Sequence, residues 1–301
     1  MRRVMVRNPT GGDGTDTETA RERAGERGIE VRDSDEPGDA VTLARAAADE
    51  ADQILACGGD GTVNEVVRGV AEADALDEVE LAVVPAGTGN NFAENLGIES
   101  VEQAFEVAEE GDRRRLDLGV ADGDVFVNSC MGGLIAEASE DTDDETKARI
   151  GSLAYALQTL SDARHYEGPL LEIRAGASHD PLWSGTALVL LIGNGRRFLG
   201  GGRGQANLED GRLEVVIVEQ APAIDYLAEG ALQRLLKQDA SHLTRLTTEE
   251  LLVTTTDRPM AFSFDGEIVE RQSIDASVRD GAMQFRVGDT YEPTPSPWPD
   301  E

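Results

Sequence analysis

Lysine is nearly missing from this chain: Lys147 and Lys237 are the only two, and arginine supplies the remaining positive charge. Acidic residues outnumber basic ones 59 to 27, for a formal net charge of −32. A nucleic-acid partner needs a basic patch to displace counterions from its phosphates, so this composition argues against one. It equally disfavours electrostatic attachment to an anionic membrane. Carboxylates in such number repel one another and destabilise a compact state unless they are screened. They are spread along the chain and not gathered in a tail. We therefore expect a halophilic protein, working where the screening length falls to about 3 Å at 1 M salt.

Long apolar runs are also missing. No stretch approaches the roughly 18 residues of a helical membrane span. The start, Met1–Arg7, is basic but has neither a long apolar region nor a small-residue cleavage site, so it reads as a first core strand and not as a signal peptide. Cysteine is limited to Cys57 and Cys130, far apart and in apolar surroundings, which points to buried reduced thiols in a cytoplasmic protein. His165, His179 and His242 show no ligand spacing, so no zinc site is expected.

What is present suits two domains: 301 residues, 40% of them hydrophobic. The first third alternates strand and helix patterns. Strands are expected over Arg2–Arg7, Ile29–Val31, Gln53–Cys57 and Glu80–Val84. Helices are expected over Asp16–Gly28, Asp39–Ala51, Thr62–Ala73, the end of Gly87–Leu96, and Ser100–Glu110. This rhythm predicts an α/β domain over residues 1–115, an open and mostly parallel sheet covered by helices. The boundary is placed in the charged stretch Asp112–Asp117. Beyond it, strand patterns follow one another with helices only at Ala148–Ala163 and Ile224–Lys237, predicting a mainly β, sandwich-like domain over 116–287. The tail, 288–301, carries Pro293, Pro295, Pro297 and Pro299 and is expected to be extended or disordered.

In the first domain, an apolar strand runs into Gly58-Gly59-Asp60-Gly61-Thr62 and then into a helix. Glycines without Cβ let backbone N–H groups approach a phosphate, and the helix N-terminus adds partial positive charge. Thr62 can cap that helix or bond a phosphate oxygen. The Gly-Lys-Ser/Thr ending of a Walker loop is missing, and by itself the segment is equally a tight strand-to-helix turn. It has company: Asn8-Pro9-Thr10-Gly11-Gly12 and Pro85-Ala86-Gly87-Thr88-Gly89-Asn90-Asn91-Phe92-Ala93 each follow a strand of the same sheet. Loops at the carboxyl ends of parallel strands gather in one crevice, where ligands bind. None of the three contains lysine, so a triphosphate held there needs Mg²⁺ for charge neutralisation.

Taken with Gly58-Gly59-Asp60-Gly61-Thr62-x-Asn64-Glu65, this set resembles the diacylglycerol kinase catalytic family, which includes soluble bacterial-type lipid kinases and sphingosine and ceramide kinases. The similarity continues in Ile192-Gly193-Asn194, in Gly200-Gly201-Gly202, in Ala206-x-x-x-Asp210-Gly211-x-Leu213 and in Phe264-Asp265-Gly266-Glu267, and so spans nearly the whole chain in order.

The resemblance implies a Rossmann-like, NAD-kinase-like first domain that binds ATP through Asn8, Pro9, Thr10, Gly11, Ser34, Gly58, Gly59, Asp60, Gly61, Thr62, Asn64, Glu65, Gly87, Thr88 and Asn90. It implies a second domain that supplies Glu267 as general base toward a lipid hydroxyl, with Asp265 beside it. In the sphingosine kinase branch Asp60 has that role instead. A metal site is implied at Asp210 with carbonyls near Asn207 and Arg212. The implied substrate is diacylglycerol or a similar lipid, an archaeal dialkylglycerol if the high-salt reading holds, collected at the membrane surface by a peripheral enzyme for which the resemblance also implies a homodimer. Without the resemblance, Asp265-Gly266 reads as a hairpin turn.

Two departures stand out: Asn91 where the family usually has Asp, and the short Arg203-Gly204-Gln205 segment without the common Pro. They keep open a nucleotide-binding regulatory protein without catalysis. An NAD kinase, which shares the Gly-Gly-Asp-Gly-Thr loop, is the nearest alternative enzyme.

Overall fold

The computed structural model describes residues 1–12, 14–134, 136–137, 167–196, 205–220 and 242–295. The chain divides into two compact units. One comprises Met1–Leu118, Asn207–Asp210 and Arg279–Thr294; the other comprises Gly119–Ala206, Gly211–Val278 and Pro295–Glu301.

In the first unit, β1 (Arg3–Arg7), β2 (Glu30–Asp33), β3 (Gln53–Gly58) and β4 (Glu80–Pro85) pair in parallel in the order β2-β1-β3-β4. The end of β15 (Ser273–Val287) adds alongside β4, with Gln284 opposite Glu80 and Phe285 opposite Leu81. Every residue of β3 and β4 is buried, as central strands covered on both faces require. The connecting helices are α1 (Thr15–Glu26), α2 (Asp39–Ala48), α3 (Asp60–Glu72), the short α4 (Asn91–Asn95) and α5 (Val101–Glu110). α2 buries Ala40, Ala44 and Ala47, and α3 buries Val63, Val66, Val67 and Val70, the 3.6-residue stripe that fixes their inner faces. Close approach of these two helices depends on Gly69, where a Cβ would lie 2.3 Å from the Val41 carbonyl oxygen.

In the second unit, β7 (Ser129–Gly133), β9 (Asp180–Gly193), β10 (Leu213–Glu219), β11 (Leu243–Thr248), β13 (Met260–Phe264) and β14 (Glu267–Arg271) form one antiparallel sheet in the order β11-β10-β9-β7-β13-β14. β8 (Leu170–Ala175) and β12 (Glu250–Thr255) pair with each other, with the start of β9 and with the start of β15. The 14-residue β9 thus contributes to both layers. Alternate residues point inward from each: Leu171, Ile173, Leu251, Val253, Ile274 and Ala276 from one, Leu190, Ile192, Val215, Ile217, Phe262 and Phe264 from the other. This is a β sandwich.

The charged stretch Asp112–Asp117, where the boundary was placed, opens β5 (Asp112–Ala121). Its arginines are matched one by one, Arg113 by Glu80, Arg114 by Glu209 and Arg115 by Asp77. The start of the tail is tied down, because Gly288 N donates to the Leu96 carbonyl and the Tyr291 hydroxyl donates to Glu209, each at 2.8 Å. β11 carries little sequence signal, since Leu-Thr-Arg-Leu-Thr-Thr alternates too weakly to announce a strand. The expected helices Ala148–Ala163 and Ile224–Lys237 and the Gly200–Gly202 segment lie outside the described residues.

Candidate functional site

The order β2-β1-β3-β4 reverses direction between β1 and β3, and at such a switch point the loops leaving the strand ends splay apart and leave a crevice. The three glycine-rich loops all leave carboxyl ends in this region, and they interlock. Asn8 N donates to the Cys57 carbonyl at 2.9 Å, Ala86 N to Gly58 at 3.1 Å, and Asp60 N to Gly89 at 3.1 Å. A Cβ on Gly87 would lie 2.2 Å from Gly59 Cα, and one on Gly11 would lie 2.8 Å from the Ala86 carbonyl oxygen. These glycines therefore let loop pack on loop. Gly61 is different: it is exposed, at the start of α3, and a Cβ there meets nothing within 4 Å.

Several expected binding residues first of all build the loops. Asn8 Oδ1 accepts from Thr10 N at 3.0 Å and Thr10 Oγ1 at 2.9 Å, a local turn. Asn90 Oδ1 accepts from Gly87 N at 3.0 Å while its Nδ2 donates to Gly87 O at 2.9 Å. Glu65 Oε1 accepts from Gly38 N at 3.2 Å, at the start of α2. Ser34 donates through N and Oγ to the Arg7 carbonyl, at 2.9 and 3.3 Å. Thr62 and Asn64 are buried in α3, and Asn64 Oδ1 has no hydrogen-bond partner. Thr10, Gly61 and Thr88 are exposed, and Pro9 and Gly11 half-buried. The first N–H groups of α3 have no partner within their own helix, the usual anchor for an anion.

Both oxygens of Asp60 are occupied. Oδ1 accepts from Phe92 N at 2.8 Å; Oδ2 accepts from Asn91 N at 3.2 Å and Asn91 Nδ2 at 2.8 Å. The carboxylate thus holds the start of α4. The departure at Asn91 acquires a meaning here, since an amide can donate to Asp60 and a carboxylate cannot.

In the second unit, Asp265-Gly266 forms a two-residue hairpin between paired Phe264 and Glu267, with φ of 45° and 104° as a primed turn requires. The Asp265 carboxylate accepts from Val127 N at 2.7 Å, Asn128 N at 3.1 Å and Ser129 N at 2.7 Å. Asp265 therefore fixes the turn, and Glu267, exposed at the start of β14, is the carboxylate the turn presents. Two buried amides here escaped the sequence reading as site residues. Asn128 Oδ1 is buried without a partner, and Asn194 Nδ2 donates to the Val127 carbonyl at 3.0 Å. A polar Asn inside the apolar run Val125–Ser129 was the available signal.

The expected metal segment is divided. Asn207 and Asp210 fall in the first unit and Arg212 in the second. Asn207 Oδ1 accepts from Glu209 N at 3.0 Å, and Glu209 takes a two-pronged grip from Arg114 at 2.9 and 2.6 Å. Among the described residues no group of three or more His, Cys, Asp or Glu side chains converges to hold a metal ion. Cys57 and Cys130 are free and buried; burial pushes the Cys57 thiol up to about 12 and raises Cys130 as well, so neither is a nucleophile at neutral pH.

Comparison with known proteins identifies this combination. Residues 2–121 match the family described as "Diacylglycerol kinase catalytic domain", and residues 128–287 match the "YegS C-terminal NAD kinase beta sandwich-like domain". The class is a kinase with an α/β catalytic domain followed by a β sandwich. More narrowly, the chain belongs to the YegS-like lipid kinase family. It is 32% identical over 268 residues to the "Probable lipid kinase YegS-like" of Cronobacter sakazakii, covering 86% of each chain. It is 29% identical over 266 residues to the "Lipid kinase YegS" of Escherichia coli K12, again covering 86% of each. The protein of the "Crystal structure of a putative diacylglycerol kinase from Bacillus anthracis str. Sterne" shares the fold with a TM-score of 0.79 at 23% identity, over 97% of this chain and 96% of that one. Yeast NADH kinase shares it more distantly, with a TM-score of 0.54 at 10% identity, over 97% and 85% of the two chains. No described helix is long and apolar enough to cross a membrane.

Proposed function

We propose that the chain transfers the γ-phosphate of ATP to a hydroxyl of diacylglycerol or a similar lipid. The observation that carries the nucleotide half is the interlocking of three lysine-free, glycine-rich loops at the carboxyl ends of β1, β3 and β4, ahead of the N-terminus of α3. Such a site holds phosphate through backbone N–H groups, Thr62, Thr88 and the α3 terminus. Mg²⁺, carried on the phosphates, supplies the charge neutralisation that lysine provides elsewhere; Asp210 with nearby carbonyls is the candidate for a further ion.

Phosphoryl transfer asks little of a protein beyond positioning, charge stabilisation and one group to accept the hydroxyl proton. Glu267 suits that last role better than Asp60 or Asp265. Glu267 is exposed at the start of β14, and Asp60 and Asp265 each accept from backbone N–H groups that fix a turn or a helix start. The lipid is collected at a membrane surface. An alcohol acceptor on a lipid also accords with the family, and the acidic composition accords with activity at high salt.

The test is a purified-enzyme assay with labelled ATP and Mg²⁺ at molar salt, offering diacylglycerol, dialkylglycerol, long-chain bases and NAD. The expected result is labelled phospholipid from wild type and a loss of roughly 100-fold or more in kcat for Glu267→Gln, the usual contribution of a general base. Labelling of NAD alone would refute the lipid acceptor. Nucleotide binding without transfer to any acceptor would replace the enzyme by a regulatory protein.

A further inference from the structure

The residue just before the Asn8–Gly12 loop is an arginine, only 1% exposed, at the end of a parallel strand. A guanidinium in that position has to be paired to be tolerated. Nε and Nη2 of Arg7 donate to Asp33 Oδ1 and Oδ2 at 2.7 and 3.1 Å, a bidentate fork. Nη1 donates to the Thr17 carbonyl at 3.0 Å and to Glu18 Oε1 at 2.8 Å, in the first turn of α1. The Arg7 carbonyl receives both donors of Ser34. One residue thus ties together the end of β1, the first turn of α1, the end of β2 and Ser34. These segments form one side of the nucleotide loops, because the glycine-rich loop leaves from Arg7 and runs into α1. The nucleotide chemistry itself does not use Arg7: its charge is matched by Asp33 and Glu18, and Arg21 in turn pairs with Asp33 at 3.1 Å.

We infer that Arg7 is a positioning residue for the nucleotide: its fork on Asp33 and its hydrogen bond to the Thr17 carbonyl at the start of α1 set the separation between the Asn8–Gly12 loop and Ser34, and through it the affinity for ATP. The inference rests on the ATP reading given above. Glu18, 65% exposed, is the dispensable arm, and Asp33, 31% exposed, is the anchoring one. Lysine keeps the charge but cannot make the planar fork.

The experiment separates positioning from plain stability. ATP binding is measured by calorimetry, alongside the melting temperature, for wild type, Arg7→Lys, Asp33→Asn, Glu18→Ala and the double variant Arg7→Met/Asp33→Leu. The double variant removes both charges together, so no buried charge is left unpaired. The expected result is a double variant that melts within a few degrees of wild type but binds ATP roughly tenfold more weakly. Arg7→Lys and Asp33→Asn should follow in the same direction, Glu18→Ala should leave binding unchanged, and the acceptor KM should not move. Should the double variant fail to fold, Arg7→Lys and Asp33→Asn carry the comparison. Folded variants that bind ATP as wild type does overturn the inference and leave the ATP site standing. A wild type that binds no ATP overturns the ATP reading itself, and this inference with it.

Discussion

Asp60 Oδ2 accepts the side-chain amide of Asn91 at 2.8 Å, while its other oxygen accepts Phe92 N, also at 2.8 Å. The aspartate of the glycine-rich loop is thereby the clamp that joins the start of α3 to the start of α4. Replacing Asn91 by Asp would set two carboxylates in contact, where both cannot comfortably ionise. We expect Asn91→Asp to lose roughly 1–2 kcal/mol at pH 7.5, the sum of a lost donor and like-charge repulsion. Asp60→Ala should be at least as destabilising. Thermal melts of the two variants decide; an Asn91→Asp protein as stable as wild type refutes the clamp.

Two glycines of the site separate packing from binding. Gly87→Ala places a Cβ against the Gly59 backbone, which cannot give way, so a loss of about 1–3 kcal/mol is expected. Gly61→Ala meets open space and should leave the melting temperature within a few degrees. If phosphate approaches the start of α3, Gly61→Ala still weakens ATP binding. Titration with ATP alongside the melts checks both, and undiminished binding by Gly61→Ala would place the phosphates elsewhere.

Asp265 and Glu267 should part company. Asp265→Ala strands the N–H groups of Val127, Asn128 and Ser129, and a loss of about 1–3 kcal/mol of stability is expected along with activity. Glu267→Gln, at an exposed position, should keep the melting temperature while turnover collapses. Urea unfolding and steady-state kinetics on both variants read the contrast; equal stability losses would remove the distinction between fixing the turn and acting on the substrate.

Acid should loosen the first unit in a particular way. The hydrogen bonds from Arg7 hold the Asp33 carboxyl below its usual range, against the opposing effect of burial. A carboxyl with a depressed folded value contributes stability that is full above its unfolded value, near 3.9, and lost as pH falls toward the folded one. We expect Asp33→Asn to be less stable than wild type at pH 6 and the difference to shrink steadily below about pH 4. Unfolding curves from pH 6 to pH 2.5 test this, and a difference that grows on acidification contradicts the sign.

The sequence alone carried the architecture because hydrophobic periodicity is local: buried β3 and β4, the Ala and Val stripes of α2 and α3, and the alternation along Met260–Phe264 are each visible within a few residues. It also located the loops, since Gly58-Gly59-Asp60-Gly61-Thr62 and its companions follow apolar strands in order. The purpose of individual residues in those loops was not local. That Gly87 stands against Gly59, that Asp60 is bound to Asn91 and Phe92, and that Arg7 reaches Asp33 depend on chain segments 26 to 32 residues apart meeting in space. The same holds for the charged start of β5 and for Tyr291, whose partner Glu209 lies 82 residues away. Periodicity marks which face of an element is buried, but only the folded chain decides which two polar groups share a hydrogen bond. In this protein that is how Asp60 and Asp265 come to hold the backbone of segments far from them in sequence.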